Sequence, residues 1–170
     1  MSFSNLNRIL FCNCLMVAVS TMLGCVSVSI GGKAPQKSHE MKYVAPAQSF
    51  KEKKSVDVDD SWRNEKNGNT ISILSECADP TDPSLEQIHS GIIAEIEKSQ
   101  VIENHHIDYN ARDAIHSVVD GQVDGVQTRF ELVVFKKNNC TYVLTYAAVA
   151  KSFADNQRDF EEFVKGFKVP

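Results

Sequence analysis

The chain has 170 residues, 42% of them hydrophobic and 24% charged, which fits one ordinary globular domain plus an extra segment and excludes a multidomain enzyme. Eighteen basic against 22 acidic side chains give a formal net charge of −4 and a pI near 5.7. The basic footprint of a nucleic-acid binder is therefore missing, and DNA and RNA are not expected partners.

The first 24 residues carry one charged side chain, Arg8, ahead of an uncharged run from Ile9 to Leu23. At 1.5 Å per residue that run covers about 22 Å, short of the roughly 30 Å hydrocarbon core and within the length of a signal-peptide apolar region. It reads as an export signal. It ends in Met22-Leu23-Gly24-Cys25, which resembles the lipobox of bacterial lipoproteins, an aliphatic residue and a small pair before an invariant cysteine. Gly24 and Cys25 match, whereas Met22 and Leu23 stand where leucine and a small residue are usual. The resemblance implies removal of residues 1–24 as a lipoprotein signal peptide and fatty chains of the palmitate type on Cys25. An uncleaved anchor and a simple secretory signal are the alternatives. Acyl burial contributes about 0.8 kcal/mol per CH₂, so two or more chains would hold the protein on a membrane permanently. Val26-Ser27, rather than an aspartate, follows the cysteine; by the sorting habits of such lipoproteins this implies an outer membrane, facing the periplasm, in a Gram-negative cell.

Residues 25–48 are rich in Ser, Gly, Lys, Gln and Pro with no sustained period, and are expected to be a lipidated flexible tether. As a coil it would span about 25–30 Å. Residues 49–170 are expected to form the folded domain. Of the 5 cysteines, Cys12 and Cys14 leave with the signal and Cys25 carries lipid. Cys77 and Cys140 remain, and in an exported protein one leftover pair most simply forms a disulfide, with two separate buried thiols as the alternative.

In chain order, Ser61–Asn64 and Thr70–Cys77 flank Lys66-Asn67-Gly68-Asn69, a hairpin signal. After the breaker Asp79-Pro80-Thr81-Asp82-Pro83, Ser84 can cap a helix with Leu85, Ile88, Ile92 and Ile96 on one face. Extended runs follow at 101–107, 113–119, 127–136 and 140–149, separated by turn chemistry at Asp108-Tyr109-Asn110, Asp120–Gly125 and Asn138-Asn139. Short links favour antiparallel neighbours. If the 70–77 and 140–149 strands pair, Cys77 and Cys140 lie side by side, with Ile71, Ile73, Tyr142, Leu144 and Tyr146 facing inward. From Ser152 the period is helical, with Phe160, Phe163, Val164 and Phe167 together, Asn156 as a cap and Gly166 as a stop.

The fold class expected is α+β, an antiparallel sheet of about six strands packed with two helices. That element order, together with Tyr142-Val143-Leu144-Thr145-Tyr146-Ala147-Ala148 followed by Phe160-Glu161-Glu162-Phe163-Val164-Lys165-Gly166-Phe167, resembles the PsbP family over residues 43–170. The resemblance implies a PsbP-like fold and, since known members are mostly noncatalytic, a binding or assembly role.

Chemistry-bearing patterns are sparse. His105 and His106 are adjacent on a strand and point to opposite faces, so they cannot chelate together, although His116 could approach one of them. Asp120–Gly125 lacks the alternating acids and distal glutamate of a calcium loop. There is no nucleophile elbow and no glycine-rich phosphate loop, so no catalytic residue, metal or cofactor is named. Trp62, the single tryptophan, and its neighbour Arg63 are the candidate anchor for a partner, against the alternative of a tryptophan covering the sheet beside an arginine paired to an acid. The function expected is a lipid-anchored, noncatalytic envelope accessory or assembly factor that binds an envelope protein. The alternatives are a small-ligand or lipid carrier with a cavity between the sheet and the helix Leu85–Ile96, and a divergent hydrolase.

Overall fold

The computed structural model describes residues 36–79 and 81–170; Cys25 and the expected signal peptide lie outside them. Among the described residues seven strands run β1 (Phe50–Glu52), β2 (Asp60–Asn64), β3 (Thr70–Cys77), β4 (Glu97–Tyr109), β5 (Arg112–Val123), β6 (Val126–Lys137) and β7 (Cys140–Val149). Helix α1 (Leu85–Ala94) follows β3, and a 3₁₀ turn (Ala150–Asp155) leads into α2 (Gln157–Gly166). The strands form one antiparallel sheet in the order β1-β2-β3-β7-β6-β5-β4. The sheet is one strand larger than the sequence suggests, because the 3-residue β1 is too short to show a period.

Local chemistry explains the meander. Asn110-Ala111, Asp124-Gly125 and Asn138-Asn139 each place two successive residues at positive φ between paired strands. That backbone matches the right-handed strand twist, and Asn, Asp and Gly tolerate it best. β3 returns beside β7 with Cys77 directly opposite Cys140, and the two form a disulfide across the pair. Ser84 begins α1 with a full capping box: its hydroxyl accepts from the Gln87 N–H at 3.2 Å, and its own N–H donates to Gln87 Oε1 at 2.9 Å. Asn156 precedes α2 but gives its backbone no side-chain cap. Its amide oxygen instead accepts from Asn64, Asn67 and Asn69, joining the β2–β3 turn to the start of α2.

Alternation along the strands divides the interior into two layers. Ile71, Ile73, Phe135, Tyr142, Leu144 and Tyr146 point to one face, where Phe153, Phe160, Phe163 and Phe167 close over them. Val119, Leu132, Val134 and Val143 point to the other, under Leu85, Ile88, Ile92, Ile93 and Ile96. Burying each such side chain contributes about 1.5–3 kcal/mol.

The tether expected over residues 25–48 is not free at its C-terminal end. Gln36 bridges Cys77, the Ser38 N–H donates to Ser75 Oγ at 2.8 Å, and Lys42 pairs with Lys168. Tyr43 stacks on Phe167 with centroids 5.9 Å apart. Two apolar side chains, Met41 and Tyr43, dock this strap on the aromatic layer, too few to make a visible period among polar neighbours.

Candidate functional site

The expected Trp62–Arg63 anchor is not brought to the surface as a pair. Trp62 is only 6% exposed, because β2 alternates and turns it toward the aromatic layer. Its ring lies 5.8 Å from Tyr43 and 5.5 Å from Phe163. Arg63 faces the opposite way and is exposed, with its guanidinium beside Gly68. Trp62 is therefore a core residue, and the signal missed was Tyr43, which covers it from outside the expected domain. Cys25 lies outside the described residues, and Cys77 and Cys140 are joined as stated above.

A concave feature is built by α1 and the part of the sheet it leaves uncovered. α1 lies over β4, β5 and β6, so part of the same face of β3 and β7 stays accessible beside it. The result is a groove of about 460 Å³ between α1, β3 and β7, within the roughly 300–1,000 Å³ of ligand pockets. Leu74 and Val143 from the sheet and Ile88 and Ile92 from the helix make it apolar. Glu76 and Asp79 stand beside the loop into α1, and Glu95 is at its C-cap. Gly91 also lines the groove, and a Cβ placed there would meet nothing within 4 Å. The groove lies between the sheet and the helix, where a cavity was expected.

Two polar pairs occur within the layers. On the α1 face, His89 Nε2 lies 2.8 Å from Ser117 Oγ, and burial lowers the His89 pKa. Ser117 is 0% exposed, so no acyl group can reach that hydroxyl and the pair acts as a buried polar contact. On the α2 face, His116 Nε2 lies 2.8 Å from Glu131 Oε1. That hydrogen bond raises the His116 pKa, with Glu131, Glu103 and Glu161 adding attraction. Glu131 is 4% exposed, and among the described residues its Oε2 has no hydrogen-bond partner. His105 is the register partner of His116, and His106 meets Asp113 at 3.0 Å instead. Among the described residues no three His, Cys, Asp or Glu side chains gather closely enough to hold a metal ion, and no helix is long and apolar enough to cross a membrane.

No family model matches the chain, and no curated protein matches it either. Solved structures do. The cyanobacterial PsbP protein (CyanoP) of Synechocystis sp. PCC 6803 superposes with a TM-score of 0.57 at 10% identity, covering 86% of this chain and 98% of that one. The fold is PsbP-like. LpqN of Mycobacterium tuberculosis, described as involved in cell envelope biogenesis, superposes with a TM-score of 0.56 at 10% identity, covering 82% of this chain and 88% of LpqN. Identities this low speak for shared architecture alone.

Proposed function

We propose that this PsbP-like chain is a lipid-anchored cell-envelope protein that acts without catalysis, as an accessory or assembly factor binding another envelope protein. The observation that carries the reading is the open groove beside α1, an apolar floor framed by exposed carboxylates on a rigid sheet. Surfaces of that kind mark interaction sites. The apolar run ending in Gly24-Cys25 supports the anchor, and LpqN supports an envelope setting by its described involvement in envelope biogenesis. An anchor would confine the domain to a thin layer at the membrane, raising its effective concentration for membrane-bound partners without strong contacts. Chemical cross-linking of the full-length protein in its own cells, followed by mass spectrometry of the envelope fraction, is expected to yield a discrete adduct with one envelope protein. Adducts with itself alone would overturn the reading.

The apolar floor of the same groove favours one second reading, a carrier of a small ligand or lipid. Native mass spectrometry would then show a ligand copurifying with the protein, and a clean apo mass would reject it.

A further inference from the structure

We propose that the groove between α1, β3 and β7 receives a polypeptide segment with a short apolar stretch flanked by lysine or arginine side chains. This rests on the accessory-protein reading and specifies its partner's chemistry. The floor, Leu74, Ile88, Ile92 and Val143, asks for aliphatic side chains. The rim decides which kind of molecule brings them. Glu76 and Asp79 lie beside the loop into α1, Glu95 caps its other end, and all three are exposed. The last turn of α1 carries no basic side chain, so its terminal carbonyls add to the negative potential around Glu95. Lys136, in the small cavity adjoining the groove, is bonded to Asp82 and to the Pro83 carbonyl at 2.8 Å and also attracts the Asp79 carboxylate, so it offsets part of the charge at that end, where Glu76, Asp79 and Glu95 together still outnumber it.

An anionic amphiphile is disfavoured here, because a carboxylate or phosphate headgroup would meet acids whichever end it approached. A single-headed cation would satisfy one end only. The two acidic ends are separated by a helix of 10 residues, about 15 Å at 1.5 Å per residue. A peptide with cations on both sides of an apolar centre matches that spacing, as in helix-in-groove and strand-addition recognition.

Gly91 supplies a test that leaves the fold intact. A Cβ there enters open space, and replacing a mid-helix glycine favours the helix by up to about 1 kcal/mol, so Gly91→Leu fills the groove without a stability penalty. The probe is a fluorescent leucine-rich peptide flanked by lysines, titrated against the full-length chain in phosphatidylcholine nanodiscs. The comparisons are the same peptide with glutamates for lysines, and dodecylphosphocholine as competitor. The lysine peptide is expected to bind about tenfold more tightly than the glutamate peptide, a preference that the double variant Glu76→Lys, Glu95→Lys reverses. Gly91→Leu is expected to weaken it about tenfold with an unchanged or raised melting temperature. Equal binding of the two peptides, binding unaffected by Gly91→Leu, no binding of either peptide, or displacement by dodecylphosphocholine would each overturn the proposal, the last in favour of a lipid. Envelope cross-links that persist in Gly91→Leu would place the partner elsewhere and leave the accessory function standing, whereas their absence in the unaltered protein would remove that function itself.

Discussion

At the scale of single residues, the buried His89 and the half-buried His116 bias stability in opposite directions with pH. His116 has its pKa raised by the Glu131 hydrogen bond, so its contribution is fully present below the unfolded value, about 6.5, and is lost as pH rises through the higher folded value. His89 has its pKa lowered by burial, so its contribution is present above about 6.5 and is lost as pH falls through the lower folded value. In melting curves recorded from about pH 5 to 8, His116→Gln should flatten the decline on the alkaline side and His89→Gln the decline on the acid side. His116→Gln should also cost about 1–3 kcal/mol near pH 6, because it removes the cation from a carboxylate that is almost fully buried. Parallel curves for both variants and the parent would show that neither histidine titrates differently on folding. Gly121 is a steric case. A Cβ there would come within 2.2 Å of Ile96 Cγ2 and 3.0 Å of the Glu97 carbonyl oxygen. The isoleucine can rotate but the backbone carbonyl cannot, so Gly121→Ala should lower stability by about 1–3 kcal/mol in denaturant titrations. A neutral result would mean that the α1–β4 junction yields.

At the scale of elements, β3 and β7 are held together by register, burial and sulfur at once. Ile71 pairs with Tyr146 and Ile73 with Leu144, and the register ends on Cys77 opposite Cys140. The cysteines are 63 residues apart in sequence, and a loop of that size implies about 4 kcal/mol of stabilisation by unfolded-state restriction. Calorimetry under reducing conditions should show a clear fall in melting temperature while the secondary-structure signal at low temperature persists. A melting point indifferent to reductant would assign the β3–β7 stability to packing alone. This pairing was legible in the sequence because alternation, turn residues and cysteine positions all pointed to it. The first helix was legible for the same reason, with Ser84, Gln87 and the three-and-four spacing of Leu85, Ile88 and Ile92 in agreement. The aromatic layer was only half legible: Phe160, Phe163 and Phe167 announce a helical face, but nothing near Trp62 in sequence says that Tyr43 and Phe163 cover it. The groove was foreshadowed as a gap between sheet and helix. Its acidic rim was not, since Glu76 and Asp79 at one end and Glu95 at the other come to border one groove only after α1 crosses the sheet.

At the scale of the whole molecule, the question is where the folded unit begins. Sequence composition places the boundary near residue 49, whereas the strap from Gln36 to Tyr43 is bonded to the sheet and packed on the α2 face. Two truncations separate these views, one lacking residues 1–35 and one lacking residues 1–43. The longer deletion removes Ser38, whose hydroxyl shares a 2.9 Å hydrogen bond with the Tyr142 hydroxyl. Tyr142 is fully buried, and leaving its hydroxyl unpartnered costs about 1–3 kcal/mol. It also removes Tyr43, whose ring touches Trp62, Phe163 and Phe167 and whose hydroxyl donates to Asp60. Deleting a large aromatic side chain from such a setting costs about 3–5 kcal/mol by itself. The shorter truncation should therefore melt as a single cooperative unit. The longer one should lose several kcal/mol and gain accessible apolar surface around Trp62, readable as a red shift of its fluorescence, the chain having one tryptophan. Equal stability and equal emission in the two truncations would return the strap to the tether. A difference between them would count residues 36–43 as part of the folded domain, because the strap would then share the domain's cooperative melting through Ser38 and Tyr43.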